Sequence, residues 1–579
     1  MIKVEKLSYS FPQKDLYNDI SFTLEAGQHC AFIGTNGSGK STLIDILVDP
    51  DKYMFDGILE KSPNCRIGYV SQISQIDDIK DITVFDYISE DFIRLQNKID
   101  AICEEMATSS ELEALMEDYQ EALDAFEAIN GDQYPNIIDR TLNLANLGSY
   151  KDMLISELSG GEFKLVQVIK SMLNNPDLII MDEPDVFLDF ENLTSLKNLI
   201  NSHKGTMLVI THNRYLLNHC FNKIIHLENK EIQEFDGNYI DYNFSLLQTK
   251  IELQELAAAD DEEIERNEVI IDKLRDLATE NAEAFRGRHL RARVKIQERL
   301  EKRRIKAPFV YIKKPTIYFS TDKKLGDDVI LKVTDYSAVF DDVVLENVSF
   351  EIKADEKVAI VGPNGTGKTT LLQDIFKNNN PAIEINENAQ VAYLSQILGN
   401  TLNHSKTISE EFIDSGFETY DQVLESISEY GFDEKSLNQK INALSGGEKI
   451  LLQIAKISAT DANLLILDEP TSHLDTYSQI ALEKALQNYN GAILMVSHDF
   501  YSIINCMDTI LIVEDKSIRR MNMKKFKKMI YAKHFSKDYL EIEQNKKLIE
   551  VQIETALKNT DFILAKELSI ELERLIKLL

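Results

Sequence analysis

Two glycine-rich segments of this 579-residue chain have the residue types and spacing of a phosphate-binding loop. AFIGTNGSGKST spans residues 31–42 and AIVGPNGTGKTT spans residues 359–370, and both fit G-x-x-x-x-G-K-[ST]. In such a loop the backbone N–H groups surround the phosphates, the lysine offsets phosphate charge and the final hydroxyl can bind Mg²⁺. A chance glycine-rich turn is the alternative, and a second copy in the same context argues against it. The candidate ATP-binding residues are Gly34, Asn36, Gly37, Gly39, Lys40, Ser41 and Thr42 in the first loop and Gly362, Asn364, Gly365, Gly367, Lys368, Thr369 and Thr370 in the second.

An Asp-Glu pair ends a short apolar run, LIIM or LLIL, in each half of the chain. The runs are predicted to be fully buried parallel strands. Asp182 and Asp468 are candidates to hold Mg²⁺ through water, beside the loop hydroxyls of Ser41 and Thr369. The alternative is that these acids are solvated strand ends. Both pairs follow a phosphate loop, so we expect the glutamates that come next to polarise the water that attacks the γ-phosphate. These candidate catalytic residues are Glu183 and Glu469.

A third motif, LSGGE, also occurs once in each half. Its Ser-Gly-Gly is predicted to begin a helix, and a helix N-terminus binds anions. No phosphate loop lies beside it in the sequence, so its expected ligand is the γ-phosphate that the opposite half holds. The residues concerned are Ser159, Gly160 and Gly161 in the first half and Ser445, Gly446 and Gly447 in the second.

Together these motifs resemble the ATP-binding-cassette superfamily over about residues 1–240 and 328–520. The resemblance implies further site residues. Phe11 and Phe340 stand where the family has the aromatic residue that stacks on adenine. Tyr9 is a rival for the first position, and a core aromatic is the alternative for both.

The resemblance also implies a glutamine and a histidine at each site. Gln72 in YVSQ and Gln396 in YLSQ are similar to the glutamine that contacts Mg²⁺ and water. His212 and His498 are similar to the switch histidine that hydrogen-bonds the γ-phosphate, and each lies 29 residues after the candidate catalytic glutamate. A histidine after an apolar strand is otherwise an ordinary core residue.

The first half departs from the family pattern at one place. The second half reads DEPTSHLD, whereas the first reads DEPDVFLD, with Asp185, Val186 and Phe187 in place of the usual residues. Glu183 and Asp189 are retained, so hydrolysis at the first site is not excluded. The departure predicts that the two sites turn over ATP at different rates.

The motifs recur in the same order, which indicates an ancestral duplication. Equivalent residues lie 324 to 328 positions apart before an insertion in the first half and 286 apart after it, so that half carries 38 additional residues. Apolar residues at helical spacing predict a two-helix arm there. The predicted fold class is α/β, with two tandem ABC-type nucleotide-binding domains. The predicted domains are the first at 1–240 with an arm at about 91–131, a helical-hairpin linker at 241–327, the second at 328–520 and a C-terminal helical extension at 521–579.

Charge is distributed unevenly along the predicted linker. The chain has a net charge of -33, which taken globally argues against nucleic acid as a partner. However, residues 252–283 contain 12 acidic and 3 basic residues, whereas residues 286–314 contain 12 basic and 2 acidic ones. The two helices could simply neutralise each other. Past the tip, where facing acids are fewer, the basic residues favour RNA. The candidate RNA-binding residues are Arg286, Arg288, Arg291, Arg293 and Lys295.

Composition narrows the compartment and the class of protein. The five cysteines form no C-x-x-C pair, which argues against a disulfide framework and against a zinc or iron–sulfur site. No apolar run reaches the roughly 18 residues needed to cross a bilayer, and the first ten residues do not resemble a secretion signal. We therefore expect a cytoplasmic protein.

Twin cassettes, an arm and a long helical linker together resemble the ABC-F family of ribosome-associated ATPases. The resemblance implies ATP and Mg²⁺ as cofactors, binding at the ribosomal tRNA exit site, and contact with large-subunit rRNA and P-site tRNA. ATP would close the cassettes on one monomeric chain, and hydrolysis would release them. The linker of roughly 85 residues favours a member that protects the ribosome from large-subunit antibiotics. A translation factor without that role and the ATPase subunit of a membrane transporter are the alternatives.

Overall fold

A computed structural model places most of both predicted cassettes. The residues that it describes are 1–11, 14–63, 65–72, 81–107, 112–256, 258, 315–321, 328–340, 343–395, 402–534 and 539–578. Gln396, the tip of the predicted linker and all five candidate RNA-binding residues lie outside these ranges.

The first cassette contains two sheets. Its strands are β1 (Ile2–Phe11), β2 (Lys14–Leu24), β3 (His29–Ile33), β4 (Asp56–Lys61), β5 (Ile67–Val70), β6 (Leu178–Asp182), β7 (Thr206–Ile210), β8 (Lys223–Glu228) and β9 (Glu231–Asp236). A six-stranded sheet has the order β5-β6-β7-β3-β8-β9, with β9 antiparallel and the other pairs parallel. A three-stranded antiparallel sheet has the order β2-β1-β4.

The helices of the first cassette follow the strands that position the motifs. They are α1 (Lys40–Val48), α2 (Val84–Met106), α3 (Leu112–Ala128), α4 (Tyr134–Leu144), α5 (Gly160–Leu173), α6 (Phe190–Ser202) and α7 (Arg214–His219). Every residue of β6 and β7 is buried, as predicted for β6 from its continuous apolar run. The motifs at the carboxyl ends of β3, β6 and β7 therefore meet at one edge of the sheet.

The second cassette repeats this plan. Its strands are β10 (Val329–Val339), β11 (Val343–Lys353), β12 (Lys357–Val361), β13 (Ile383–Ile385), β14 (Val391–Leu394), β15 (Leu464–Asp468), β16 (Ala492–Val496), β17 (Thr509–Glu514) and β18 (Ser517–Asn522). The sheet orders β14-β15-β16-β12-β17-β18 and β11-β10-β13 match those of the first cassette. The prediction of two tandem α/β nucleotide-binding domains is confirmed.

The other described helices lie in the second cassette and in the segments that flank it. They are α8 (239–256), α9 (Lys368–Lys377), α10 (Ile408–Asp414), α11 (Tyr420–Ser428), α12 (Gly446–Ser458), α13 (Thr476–Asn488), α14 (Phe500–Cys506), α15 (Met523–His534), α16 (Tyr539–Lys558) and α17 (Phe562–Ile576).

The insertion in the first cassette contains the paired helices α2 and α3. Helix α2 begins at Val84, earlier than the predicted arm, because the Thr83 hydroxyl caps it by accepting from Asp86 N at 3.1 Å. The two helices share an apolar cluster that includes Ile99 and Phe126. Ala122 is also buried there, although so small a residue does not mark an apolar stripe.

A separate compact unit contains α8, α16 and α17. Ile251 of α8 is buried in one apolar cluster with Ile553 of α16 and Leu572 of α17. At the surface, Lys566 Nζ lies 2.6 Å from Glu255 Oε2. The two C-terminal helices, whose contacts could not be predicted, therefore pack on the first helix of the linker.

Three predicted boundaries differ from the observed elements. Asn238 Oδ1 accepts from Asp241 N and caps α8, so the boundary at 240/241 falls inside that helix. Residues 315–321, assigned to the linker, pack on the second cassette, where Phe319 is buried against Tyr489. Strand β18 continues to Asn522, beyond 520. In the described ranges every helix is too short or too polar to span a bilayer.

Candidate functional site

Two composite sites lie between the cassettes. Site one combines the phosphate loop of the first cassette with the LSGGE segment of the second, and site two combines the loop of the second with the LSGGE segment of the first. A cavity of about 580 Å³ at site two is lined by Lys368 and His498 and, from the other cassette, by Gly160. A cavity of about 1000 Å³ at site one is lined by Phe11 and Asn36 and by residues of the second cassette. This is the predicted head-to-tail pairing.

Each phosphate loop holds its lysine at its centre. Gly39 and Gly367 adopt left-handed backbone angles, with φ of 102° and 79°, and turn the loop into the following helix. Lys40 Nζ donates to Gly34 O and to the next carbonyl, both at 3.0 Å, and Lys368 Nζ donates to Gly362 O at 2.8 Å. Burial lowers the pKa of both lysines. Each loop therefore wraps around its lysine ammonium, which two loop carbonyls hold in place.

Each loop is also held from the opposite cassette. Asn36 N donates to Asp475 Oδ2 at 3.0 Å, and Asn364 N donates to Asp189 Oδ2 at 3.2 Å. The same two aspartates cap α13 and α6. They therefore connect one cassette's helix to the other cassette's phosphate loop.

The candidate magnesium residues fit a cation. Thr369 Oγ1 donates to Asp468 Oδ1 at 3.2 Å, and Ser41 hydrogen-bonds Asp182 in the first cassette. One carboxylate oxygen of each aspartate is buried and accepts no hydrogen bond from any described residue. Burial raises the pKa of both aspartates to about 6. A hydroxyl beside an unpaired buried carboxylate is a set of oxygen ligands that suits Mg²⁺. When bound, Mg²⁺ would offset the negative charge of both the phosphates and the carboxylate.

The LSGGE segments begin helices α5 and α12, as predicted, and their serines cap these helices. The Ser159 hydroxyl accepts from Glu162 N, and the Ser445 hydroxyl accepts from Glu448 N, each at 3.3 Å. A Cβ atom on Gly447 would lie only 2.4 Å from His473 O. A side chain at position 447 would clash with the loop around His473 in its own cassette and with the phosphate loop of the first cassette, so this position requires glycine.

Aromatic residues lie at the mouths of both cavities. Phe11 is 45% exposed and Phe340 is 62% exposed, and each lines the cavity beside its own phosphate loop. Tyr9 packs into the first cassette's core cluster, with its ring 5.3 Å from that of Phe11. The position of Phe11 supports it over Tyr9 as the adenine-stacking residue.

The candidate glutamates have different surroundings at the two sites. At site one, Gln72 Nε2 donates to Glu183 Oε2 at 2.6 Å, and Nδ1 of His473 from the second cassette lies 3.3 Å from the same oxygen. At site two, Glu469 Oε2 accepts from His498 N at 3.2 Å, within one cassette. Only the first glutamate is contacted across the interface by a described side chain.

These surroundings shift the pKa values of the two glutamates in opposite directions. Burial raises the pKa of Glu183, but the hydrogen bond from His473 and the charge of Lys40 oppose it, and the pKa lies below its ordinary value. Burial and the charge of Asp468 raise the pKa of Glu469 to about 8. Burial also lowers the pKa of His212 to about 4 and that of His498 to about 3, which keeps both histidines neutral near pH 7.

Four residues of the sites were not singled out for the roles that the structure indicates. Asp189, Asp475, His473 and Phe187 all lie in the segment that follows Asp-Glu-Pro. The repeated Leu-Asp at the end of DEPDVFLD and DEPTSHLD was the available signal. Sequence spacing alone does not show that this segment reaches the opposite site.

Comparisons with known proteins agree with this geometry. The sequence pattern of the ABC transporter family matches residues 17–186 and 345–472, which together make up just over half of the chain. ABC transporter F family member 5 of Arabidopsis thaliana is 28% identical over 541 residues, covering 89% of this chain and 75% of its own. The energy-dependent translational throttle protein EttA of Escherichia coli K12 is 28% identical over 519 residues, covering 87% and 90%.

A solved structure agrees at the level of the fold. It is an archaeal ribosome recycling factor in complex with a ribosomal stalk protein, with a TM-score of 0.51, 18% identity, and coverage of 91% of this chain and 92% of that one. Two composite sites, the matched family pattern and these relatives lead to one assignment. The chain belongs to the ATP-binding-cassette family and is an ATPase, and its predicted resemblance to the ABC-F proteins of that family is confirmed.

Proposed function

We propose that this ATPase acts on the ribosome, which it contacts through the linker between its cassettes. The observation that carries the proposal is the charge of residues 286–314, with 12 basic and 2 acidic residues in a chain of net charge -33. A compact basic segment on an acidic protein selects a polyphosphate partner. The names of the Escherichia coli and archaeal relatives, which refer to translation and to the ribosome, support RNA of the ribosome as that partner.

The first helix of the linker, α8, is packed against other helices. Helix α8 packs through Ile240 and Ile251 on the two C-terminal helices, and the pair Glu255–Lys566 joins their surfaces. A helix packed along its length is stiffer than a free tether. The first helix of the linker is therefore fixed on the two C-terminal helices.

The finer proposal follows from the ABC-F resemblance. Binding takes place at the tRNA exit site, with the linker tip near residues 281–288 directed toward the P-site tRNA and the large-subunit rRNA of the peptidyl-transferase region. In the ATP sites, Glu183 and Glu469 activate water, His212 and His498 contact the γ-phosphate, and Asp182 and Asp468 hold Mg²⁺. ATP binding closes the cassettes and hydrolysis releases the protein.

Trapping on the ribosome tests the proposal. The double variant Glu183→Gln, Glu469→Gln keeps ATP binding but loses the activating carboxylates, and hydrolysis should fall about 10²- to 10⁴-fold. We expect this variant to co-sediment with ribosomes in the presence of ATP and to remain free without it. Absence from ribosomes together with recovery in a membrane complex would support the transporter alternative.

A charge-matched pair of variants tests the linker's part. Removing Arg286, Arg288 and Arg291 should weaken ribosome binding and lower the slope of log affinity against log salt by about 2, at roughly 0.7 to 0.9 per lost phosphate contact. The control variant replaces three exposed cassette lysines, Lys332, Lys353 and Lys377. An equal loss of ribosome affinity in the two variants would contradict a role of the linker in binding.

We further propose ribosomal protection against large-subunit antibiotics, on the length of the linker. Expression in a susceptible bacterium should raise the drug concentration that stops growth for at least one of the lincosamides, pleuromutilins, streptogramins A, macrolides or phenicols. The double glutamine variant is the control. No change for any of these drugs would leave a translation factor without a resistance role.

A further inference from the structure

The segment after Asp-Glu-Pro carries different side chains at one equivalent position. Phe187 in the first cassette corresponds to His473 in the second, 286 residues later. Both adopt left-handed backbone angles, with φ of 66° and 59°, so the backbone presents the two side chains in the same way. Their rings meet edge to face with centroids 5.7 Å apart. The two cassettes therefore share the backbone geometry at this position but differ in side-chain chemistry, with phenylalanine in the first and histidine in the second.

His473 reaches the reacting end of the opposite cassette. Its Nδ1 atom lies 3.3 Å from Glu183 Oε2 and 3.3 Å from Gln72 Nε2. With a hydrogen on Nδ1, the ring donates to the carboxylate beside the donation from Gln72. The side chains of His473 and Glu183 are only 19% and 15% exposed, so water competes weakly for this contact.

The backbone of His473 is held by the same opposite cassette. Asn36 Nδ2 in the first phosphate loop donates to His473 O at 2.8 Å, and the next turn is held by Asp475 on Asn36 N. The histidine thus reaches Glu183 only while the two cassettes are closed at site one. Site two has the matching backbone contact, Asn364 Nδ2 to Phe187 O at 2.7 Å, but a phenyl ring cannot donate a hydrogen bond.

We propose that His473 is a positioning residue, supplied by the second cassette, that orients Glu183 for attack at site one. At site two, Phe187 occupies the equivalent place and cannot donate such a hydrogen bond. Closure of the cassettes would then complete one site more fully than the other, and site one would hydrolyse ATP faster. The inference rests on the proposed role of Glu183 as the group that activates water.

Site one can be observed alone in the Glu469→Gln background. There we expect His473→Phe to lower kcat about tenfold or more, the rate equivalent of one hydrogen bond to a charged group. KM for ATP should change by less than about twofold, since the side chain touches the glutamate and not the phosphate loop. His473→Asn should restore part of the rate, because its amide can donate to the carboxylate and asparagine tolerates the left-handed backbone.

The mirror experiment uses the Glu183→Gln background, in which site two works alone. Phe187→His should raise kcat there, and this gain cannot result from damage to the fold. An unchanged kcat in both His473→Phe and Phe187→His would overturn the inference. A different outcome would count against the proposed role of Glu183 itself. In that outcome the Glu183→Gln protein turns over ATP as fast as the unsubstituted chain, and neither His473→Phe nor Phe187→His changes the rate. A rise in KM together with a fall in kcat, which His473→Asn does not relieve, would show a structural role only and overturn the inference.

Discussion

Site one and site two differ less in their phosphate loops than in the surroundings of the candidate catalytic glutamate. Both have a buried lysine on two loop carbonyls and an aspartate of the opposite cassette on the loop asparagine. Among the described residues, the glutamate of site one has a hydrogen-bond partner in the opposite cassette, His473, whereas the hydrogen bond to the glutamate of site two comes from its own cassette. The two phosphate loops are therefore held alike, whereas the described surroundings of the two glutamates differ.

The interface between the cassettes is asymmetric in a second way. Arg214 of the first cassette pairs with Glu483 and, at 3.0 Å, with Asp499 of the second, and all three side chains are mostly buried. The equivalent of Arg214 in the second cassette is Phe500, which cannot form such a pair. One ion cluster therefore joins the cassettes on one side of the interface.

The largest expected effect comes from breaking this cluster. Arg214→Ala would leave two acids buried without their cation, at a cost of about 3 to 5 kcal/mol in the free energy of unfolding. Denaturant unfolding of the whole chain measures it. Lys332→Ala, which removes an exposed pair with Glu351, should cost less than about 1 kcal/mol. Similar small losses in both variants would mean that the buried cluster does not stabilise the interface.

The next effect sharpens the comparison of DEPDVFLD with DEPTSHLD. Asp185 stands where the second cassette has Thr471, and its Oδ1 atom is buried without a partner among the described residues. Burial raises the pKa of Asp185 to about 7. In the unfolded chain the carboxyl ionises near pH 4, so between pH 4 and pH 7 unfolding releases a proton and stability falls as the pH rises.

Asp185→Thr should therefore stabilise the protein by an amount that grows from pH 4 to pH 7 and is constant above it. The limit is about 4 kcal/mol, three pKa units at 1.36 kcal/mol each. Urea unfolding of the two proteins across this pH range measures the difference. If the gain in the free energy of unfolding were the same at pH 4 and pH 8, the buried Asp185 carboxyl would not destabilise the protein by its ionisation.

The smallest effect compares the two LSGGE segments. A Cβ on Gly447 would lie 2.4 Å from His473 O, whereas a Cβ on the equivalent Gly161 would lie 3.2 Å from Phe187 O. Gly447→Ala must push the second cassette's loop away from Glu183, and we expect about a tenfold loss of ATP turnover, or ~1.4 kcal/mol. Gly161→Ala should lose less. Steady-state rates of the two variants decide, and a larger loss for Gly161→Ala would reverse the ranking of the sites.

The parts that repeat within one cassette could be predicted from the sequence. The loop, strand and helix around Lys40 and Lys368 depend on local spacing, and β6 and β15 on a continuous apolar run. The insertion was predicted from the change of offset between the halves. These features depend on neighbouring residues, so one sequence is enough to find them.

The contacts between the cassettes could not be predicted in the same way. His473 and Glu183 are 290 positions apart, and only closure of the two halves brings them together. Phe187 departs from the repeated pattern in the sequence, but its effect depends on His473, whose ring it meets across the interface. The packing of α16 and α17 on α8 is likewise long-range, with apolar spacing that fits many partners.

The central claim is that the two sites hydrolyse ATP at different rates because their glutamates are held differently. Single-turnover hydrolysis of ATP in Glu469→Gln and in Glu183→Gln measures site one and site two separately. We expect the Glu469→Gln protein to hydrolyse its ATP about tenfold faster than the Glu183→Gln protein, the rate equivalent of one hydrogen bond to the carboxylate. Equal rates in the two proteins, or a faster Glu183→Gln protein, would contradict the claim.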